Sequence, residues 1–142
     1  MKNISILENI VPFFQQKKRV GFSLKEIHVI EKNIGFTLPK ALKEYLLLDA
    51  NMVLLYHHEW TFKELHEAFY EEYCEAFDEV PDFLFFVINE QNVYVKGDEG
   101  DNPPVYVLFY DGFVKKYMIK KLFPSFKDLV ESILYKRFGF RT

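Results

Sequence analysis

Residues 30–47 read IEKNIGFTLPKALKEYLL, and this stretch contains the end of one helix, a tight corner and the start of the next helix. The first helix is predicted from the Ser-x-x-Glu capping box that begins at Ser23 and from apolar residues that follow it at helical spacing. Gly35 suits the position just after a helix, where a left-handed backbone is common. Pro39 suits the first position of a helix, because the N–H that it lacks would have no partner there. Two helices joined by a short corner are therefore expected, and the second should end near Asp49.

The chain on either side of these helices is also expected to be mainly helical up to residue 80. Residues 4–17 form an amphipathic stretch whose regularity is limited by Pro12, since proline cannot donate a helical hydrogen bond. Residues 52–58 are compatible with a strand. A second capping box begins at Thr61 and predicts a long helix that runs to about Val80.

After Pro81 the hydrophobic pattern changes to that of strands. The run 83–88 is apolar on both faces and predicts a buried central strand. Asp111-Gly112 has the residue types of a two-residue type I′ turn, which predicts a hairpin. The remaining elements are predicted as strands Val93–Lys96, Val105–Tyr110 and Phe113–Ile119 and a final helix that opens at Ser125. Along the chain, helices come first, an antiparallel meander follows and a helix comes last. This order indicates an α+β fold with the helices packed against the sheet.

The composition fits a single domain. The chain has 142 residues, of which 49% are hydrophobic, and it contains 16 Phe and 9 Tyr. This apolar content can stabilise a core, so residues 1–142 are expected to form one domain without disulfides or metal. The single cysteine, Cys74, fits a reducing compartment. No signal peptide and no apolar run of about 20 residues is visible, so we expect a soluble cytoplasmic protein with no membrane partner.

The net charge of −3 hides a marked segregation of charge along the chain. Residues 1–48 have a net charge of +4, residues 49–112 of −13 and residues 113–142 of +6. An acidic centre is a poor surface for phosphate backbones and a favourable one for a basic partner, so nucleic acid is not expected as a partner. Lysine pairs at 115–116 and 120–121 are interpreted as solvated strand edges, which discourage aggregation. Mutual neutralisation of the acidic and basic segments in the folded chain stays open as an alternative.

The predicted helix 61–80 divides apolar and acidic side chains between two faces. At about 100° per residue, one side carries Phe62, Leu65, Phe69, Tyr73, Ala76 and Val80. The opposite side carries Glu64, Glu67, Glu71, Glu75 and Asp78. Like charges four residues apart cost a helix roughly 0.2–0.5 kcal/mol each, so stability alone favours mixed signs. An ordinary exposed face is one interpretation, and the second, which we favour, is that the carboxylates contact a basic partner.

Residues that could act in catalysis or bind a metal ion are few and lie far apart in the sequence. His57 and His58 are adjacent, so on a strand they would point to opposite faces, which argues against a shared metal ion. Cys74 has no recognisable base beside it and is interpreted as an ordinary helical thiol. The acidic loop 97–104 lacks the register of a calcium loop, and no phosphate-binding or hydrolase motif is present. We therefore expect no catalytic residue, no cofactor and no metal.

Several of these features together resemble the SUKH superfamily, the Smi/Knr-like proteins. In that family a helix ends in an apolar residue and Gly, an apolar-x-Leu-Pro block follows, and a second helix begins, as in residues 34–42 here. The strand entry 102–107 and the helix opening at Ser125-Phe126 also match, so the resemblance covers residues 23–135. Asp49-Ala50-Asn51 stands where the family often has an Asn-Gly turn, and the acidic helix is longer than in the family.

The resemblance implies an α+β fold and, in bacterial members, an immunity function. Such members neutralise a cognate toxin, often a nuclease, and they lack catalytic residues. The first hypothesis is therefore a non-catalytic immunity protein that binds a basic toxin through the helical carboxylates, with Asp98, Glu99 and Asp101 as further contacts. The second is a regulatory adaptor on the same scaffold. The third, an enzyme or small-ligand binder, would need a pocket with converging polar groups.

Overall fold

The described part of the chain folds into five α-helices and a four-stranded antiparallel sheet, which confirms the α+β prediction. A computed structural model describes residues 3–50, 62–78, 85–88 and 92–141. In chain order the elements are a 3-10 turn Glu8–Ile10, α1 Val11–Gln16, α2 Leu24–Ile34, α3 Lys40–Leu48, α4 Phe62–Phe77, β1 Phe85–Ile88, β2 Asn92–Val95, β3 Val105–Asp111, β4 Lys116–Phe123 and α5 Phe126–Phe138.

The corner between α2 and α3 forms as its residues predict. The Ser23 hydroxyl accepts the Glu26 N–H at 3.2 Å, and the Glu26 carboxylate accepts the Ser23 N–H at 3.0 Å. Gly35 ends α2 with a φ of 88°, in the left-handed region that favours glycine. Pro39 occupies the N-cap position of α3. The two helices are thus delimited by contacts within a few residues of each end.

Two buried carboxylates of the α3 region fasten the N-terminal segment. Glu44 accepts the backbone N–H groups of Ser5 at 3.1 Å and Leu7 at 2.9 Å. Asp49, just after α3, pairs with the Arg19 guanidinium at 2.7 Å. Residues 4–19 alone could not reveal these contacts, because the partners lie 30 or more positions away along the chain.

An extended segment before α2 runs beside the end of α3. Two backbone hydrogen bonds join them: Phe22 N–H to Leu46 O at 2.8 Å and Ala50 N–H to Val20 O at 2.9 Å. Between these bonds Gly21 lies against the backbone of Leu47, and a Cβ on Gly21 would overlap the Leu47 carbonyl. The close approach of two backbones therefore requires glycine at this position.

The sheet has the meander order β1-β2-β3-β4. Val93 and Val95 of β2 are buried on one face and Tyr94 on the other, so β2 is covered on both sides. Within the described residues β1 has one strand partner, β2, and lies at one end of the order. The central position predicted for the run 83–88 stays a prediction, because the predicted strand 52–58 and residues 83–84 lie outside the described residues. α4 packs against β1, and such cover allows an apolar strand at the end of a sheet.

The β3–β4 hairpin does not have the predicted two-residue turn. β3 ends at Asp111, and four residues separate it from β4. The Asp111 carboxylate accepts the N–H groups of Phe113 at 2.8 Å and Val114 at 3.3 Å. The positive φ falls on Lys115, at 57°, and not on Gly112. The Asp111 side chain thus stabilises a wider loop than the type I′ pattern implies.

α4 ends at Phe77, three residues before the predicted end near Val80. Asp78 adopts a φ of 51°, a left-handed conformation that Asp tolerates better than most residues. The predicted strand 52–58 and the capping residue Thr61 lie outside the described residues.

Candidate functional site

α4 and the residue after it present a row of carboxylates to solvent. Four of the predicted site residues are exposed: Glu67, Glu71, Glu75 and Asp78. Their spacing of three or four residues places them on one side of the helix. The predicted Glu64 lies on the same helix, and its side chain lies outside the described residues. We call the four exposed carboxylates the acidic face.

The opposite side of α4 is anchored by aromatic contacts. The buried His66 ring lies 5.4 Å from the Phe36 ring, which follows α2. The buried Tyr73 ring lies 6.4 Å from the Tyr94 ring of β2 and 4.9 Å from the Phe77 ring. These contacts hold α4 in one rotation, so the acidic face is kept turned away from the core.

The inward side of α4 includes the described part of the predicted apolar face. Tyr73 is buried and Ala76 is half-buried, and His66, Tyr70 and Phe77 beside them are also buried or half-buried. The side chains of Phe62, Leu65 and Phe69, and all of Val80, lie outside the described residues. These four rings, at residues 66, 70, 73 and 77, follow one another at intervals of four, three and four positions, a helical spacing that could have predicted a buried row. A count of hydrophobic residues alone missed it, because His66 was not treated as a core residue.

The described residues place no lysine or arginine at ion-pair distance from Glu71, Glu75 or Asp78. Cations elsewhere pair with other carboxylates, such as Lys127 with Glu131 at 3.7 Å. Neutralisation by the chain's own cations, the alternative left open by the sequence, therefore does not apply to these three side chains in this part of the structure.

The three acidic residues predicted between β2 and β3 do not behave alike. Asp98 and Asp101 are exposed. The Tyr106 hydroxyl donates to the Glu99 carboxylate at 2.8 and 3.0 Å, and Lys96 Nζ lies 4.0 Å from it. The Asp101 carbonyl accepts the N–H of Ala41, which attaches this loop to α3, whereas the acidic face belongs to α4.

The tyrosines beside Glu99 predict a loss of stability at alkaline pH. Burial, followed by the hydrogen bond to Glu99, raises the pKa of Tyr106 to about 12, and burial also raises the pKa of Tyr94. In the unfolded chain tyrosine loses its proton near pH 10. The raised pKa values therefore contribute full stability below pH 10 and lose it as pH rises through about 12. Urea midpoints measured from pH 9 to 12 should fall, and more gently in Tyr106→Phe. The same slope in both proteins would contradict the assignment.

No catalytic constellation is visible in residues 3–50, 62–78, 85–88 and 92–141. No group of three His, Cys, Asp or Glu side chains in these ranges could hold a metal ion. Cys74 is half-buried on α4. His57 and His58 lie outside the described residues. No helix in these ranges is long and apolar enough to cross a membrane.

An open hollow of about 220 Å³ lies at the C-terminal end of the described chain. It is lined by Glu131, Tyr135, Phe140 and Arg141. The Arg141 guanidinium stacks 4.8 Å from the Tyr135 ring centre and donates to its hydroxyl at 2.9 Å. These lining residues bring together no nucleophile with a base, so the hollow does not favour the enzyme hypothesis.

A sequence profile of the SMI1 / KNR4 family (SUKH-1) matches residues 21–132. The chain belongs to this family. The match to SUKH-1 covers the α2–α3 corner, every described strand and the first half of α5, and it confirms the resemblance noted in the Leu-Pro block. No curated protein and no solved structure matches the chain.

The acidic face lies inside the part of this SUKH-1 chain that matches the family. One further exposed surface was missed by sequence reasoning. The β3–β4 hairpin exposes several large apolar side chains between its lysines, among them Tyr110 and Phe113. The alternation of aromatic residues and lysines from residue 113 onward was its signal, and it was interpreted only as protection against aggregation.

Proposed function

We propose that this SUKH-1 chain is an immunity protein that binds a basic protein toxin through the acidic face and covers the toxin's active site. The observation that carries the proposal is the row of exposed carboxylates on one side of α4, three of them without a cationic partner in the described residues. Membership of the SMI1/KNR4 family supports a protein partner over a substrate. A nuclease would fit this surface, because an enzyme that holds phosphates needs a positive active site.

The charge pattern is better explained by binding than by stability. Glu67, Glu71 and Glu75 follow one another at four-residue spacing, which costs the helix about 0.2–0.5 kcal/mol per repulsive pair. A single-signed surface attracts a partner of opposite sign over a distance and raises the association rate. The same surface repels acidic competitors, so it also contributes to specificity.

The anchoring of α4 supports tight binding. His66 and Tyr73 are buried against Phe36 and Tyr94, which belong to other parts of the fold. A helix held in one rotation loses little further freedom when a partner docks on its outer side. A rigidly held α4 and the negative charge of the acidic face are both expected of an inhibitor that covers a basic active site.

The double variant Glu71→Lys/Glu75→Lys should slow association with the toxin by roughly tenfold or more, because two attractive charges become repulsive. Its association rate should also depend less steeply on salt, since fewer favourable charges remain to be screened. The measurement is stopped-flow or surface-plasmon kinetics from 20 to 500 mM NaCl, with the toxin taken as the protein that co-purifies from the neighbouring gene.

The control variant Glu8→Lys/Glu131→Lys changes the net charge equally and lies outside α4. It removes only a surface ion pair between Glu131 and Lys127, which contributes about 0–1 kcal/mol. Its kinetics should stay close to wild type. Equal slowing in both variants would show that net charge matters and the acidic face does not.

A rescue experiment separates immunity from the adaptor hypothesis. Expression of wild-type protein should restore growth to cells that produce the toxin, and Glu71→Lys/Glu75→Lys should restore it less well. A stable complex that gives no rescue would instead favour the regulatory adaptor.

A further inference from the structure

The outer half of the β3–β4 hairpin projects from the body of the protein. The first four residues of β3 are buried or half-buried, whereas Phe109 and Tyr110 are exposed. Because successive residues of a strand point to opposite faces, both faces of the hairpin lose their cover at this level. The loop beyond them is also apolar and exposed: Phe113 is 100% exposed and Val114 52%. The hairpin therefore ends in an apolar tip, Phe113 and Val114, that solvent surrounds.

Lysines follow this apolar tip directly. Lys115 and Lys116 are both exposed. Residues 105–127 contain five lysines and a single acidic residue, Asp111. The Asp111 carboxylate accepts two N–H groups of the loop, and Lys116 lies opposite this residue in the strand register. The hairpin is thus a positively charged arm with an apolar end.

The N–H groups of the tip are already paired within the hairpin. The Asp111 carboxylate accepts those of Phe113 at 2.8 Å and Val114 at 3.3 Å, and the Asp111 carbonyl accepts that of Lys115 at 2.8 Å. A backbone N–H that enters an apolar medium without a partner is costly. Phe113 and Val114 can therefore leave water without taking an unpaired N–H donor with them.

We propose that the hairpin tip binds anionic membrane surfaces, with Phe113 and Val114 inserted at the boundary of headgroups and acyl chains and Lys115 and Lys116 beside lipid phosphates. A membrane surface has hydrocarbon beneath a layer of negative charge, and an apolar tip followed by cations matches these two layers. An exposed apolar patch rimmed by polar residues is also typical of membrane contact sites. This surface is separate from the acidic face and does not depend on the proposed function.

The mixed chemistry of both faces favours a lipid surface over a partner that covers one face. In the strand register each face of β4 carries apolar side chains and lysines: Tyr117, Ile119 and Lys121 on one, Lys116, Met118 and Lys120 on the other. A rigid partner on one face would leave the apolar side chains of the other in water. Lipids accept apolar groups from every side of an inserted tip, so no division between the faces is needed.

A second copy of the chain covers the tip less well. A closed two-fold pairing of two β4 strands is antiparallel, so the tips would lie at opposite ends. Phe113 and Val114 precede Lys116–Phe123 and would fall outside the paired segment. Such pairing would also bring together two strands that each carry three lysines and no acidic residue. Single-stranded nucleic acid would meet the lysines, but the aliphatic side chain of Val114 offers its bases no stacking surface.

Neither the expectation of no membrane partner nor the net charge conflicts with this proposal. That expectation came from the lack of an apolar run of about 20 residues, a criterion for segments that span the bilayer. Binding at one surface needs only a small buried apolar area and attraction to anionic lipids. The net charge is −3, but residues 113–142 have a net charge of +6, so the hairpin itself is attracted.

Flotation with lipid vesicles tests the proposal on the full-length protein. Vesicles of phosphatidylcholine with one-third phosphatidylglycerol should bind at least about tenfold more tightly than phosphatidylcholine alone, because only the former are anionic. Phe113→Ala should weaken binding to the anionic vesicles by about tenfold, since burial of the ring is lost. Val29→Ala, at an exposed position of α2, should leave it within about twofold. Equal binding by wild type and Phe113→Ala would overturn the proposal.

Charge variants check the contribution of the lysines. Lys115→Gln/Lys116→Gln should weaken vesicle binding by roughly twentyfold, because each lysine near an anionic surface contributes about fivefold. The control Lys25→Gln/Lys40→Gln removes equal charge from the first turns of α2 and α3, where a cation is unfavourable. Its binding should stay within about twofold of wild type. Equal losses in both variants would show a response to net charge alone and refute the hairpin site.

Tryptophan fluorescence distinguishes insertion from adsorption by charge. Wild type contains a single tryptophan, so its spectrum can be subtracted from that of Phe113→Trp. The difference emission should shift to shorter wavelength on anionic vesicles, because the indole leaves water. Binding of this variant without any shift would contradict insertion of the tip.

Two further outcomes would assign the hairpin to a different partner and so contradict the proposal. The first is binding of a 15-nucleotide oligo(dT) with no binding to the anionic vesicles. The second is concentration-dependent dimerisation that Phe113→Ala abolishes in sedimentation experiments. Variant Glu71→Lys/Glu75→Lys should bind vesicles at least as tightly as wild type, so failure of this proposal and failure of toxin binding are distinguishable.

Discussion

Gly21→Ala should destabilise the fold by about 3 kcal/mol or more. The added methyl group would overlap the backbone carbonyl of Leu47 and lie 2.8 Å from the N–H nitrogen of Leu48. Neither backbone can move away easily, because hydrogen bonds of 2.8 and 2.9 Å hold the segment on both sides of Gly21. Urea unfolding followed by circular dichroism should show a much lower midpoint, or no cooperative transition at 25 °C.

Gly112→Ala is the matched control for this prediction. A Cβ built on Gly112 meets no heavy atom within 4 Å, and its φ is not in the left-handed region. This variant should therefore unfold within about 0.5 kcal/mol of wild type. Similar midpoints for the two variants would mean that Gly21 and Leu47 do not approach each other as closely as the fold shows.

Arg19→Met should cost about 3 kcal/mol, because it leaves a buried carboxylate without its counter-charge. The Asp49 side chain is 1% exposed and accepts both the Arg19 guanidinium at 2.7 Å and the Tyr45 hydroxyl at 3.1 Å. It also lies just after α3, where the negative end of the helix dipole opposes a carboxylate. Arg141→Met, at an exposed position, should change stability by less than about 1 kcal/mol in the same urea assay.

Substitution of Asp49 and substitution of Arg19 should reduce the stability of the fold by different amounts. Asp49→Asn leaves Arg19, whose side chain is 28% exposed and can reach water, so its cost should be smaller than that of Arg19→Met. The double variant removes both charges and also the buried Nε of Arg19, which has no partner within the described chain. It should be more stable than Arg19→Met alone. Strictly additive losses would show that the two side chains do not interact.

Local signals were sufficient for the α2–α3 corner and for the family. Ser23 and Glu26 cap each other within one turn, and Gly35 and Pro39 act through their own backbone geometry. Each of these effects depends on neighbours in sequence. The same residues carry the resemblance to the SUKH superfamily, which is why both the fold class and the family could be predicted without coordinates.

The rotation of α4 and the shape of the hairpin needed three-dimensional information. The hydrophobic pattern does not show that His66 faces the core, and the contacts of His66 with Phe36 and of Tyr73 with Tyr94 fix the rotation of α4. In the hairpin, the Asp111 side chain captures two N–H groups and widens the loop, so residue types alone pointed to the wrong turn. In both cases a specific side-chain contact outweighs a general propensity.

Composition and periodicity were enough to place carboxylates along one side of a helix and to separate an acidic centre from basic ends. They could not tell whether lysines and arginines of other elements would fold onto those carboxylates. Nor could they tell that Gly21 would meet Leu47 or that Arg19 would reach Asp49, 30 positions away. Such pairings depend on how whole elements pack against each other, and packing is set by all their contacts at once, so no short stretch of the chain contains that information.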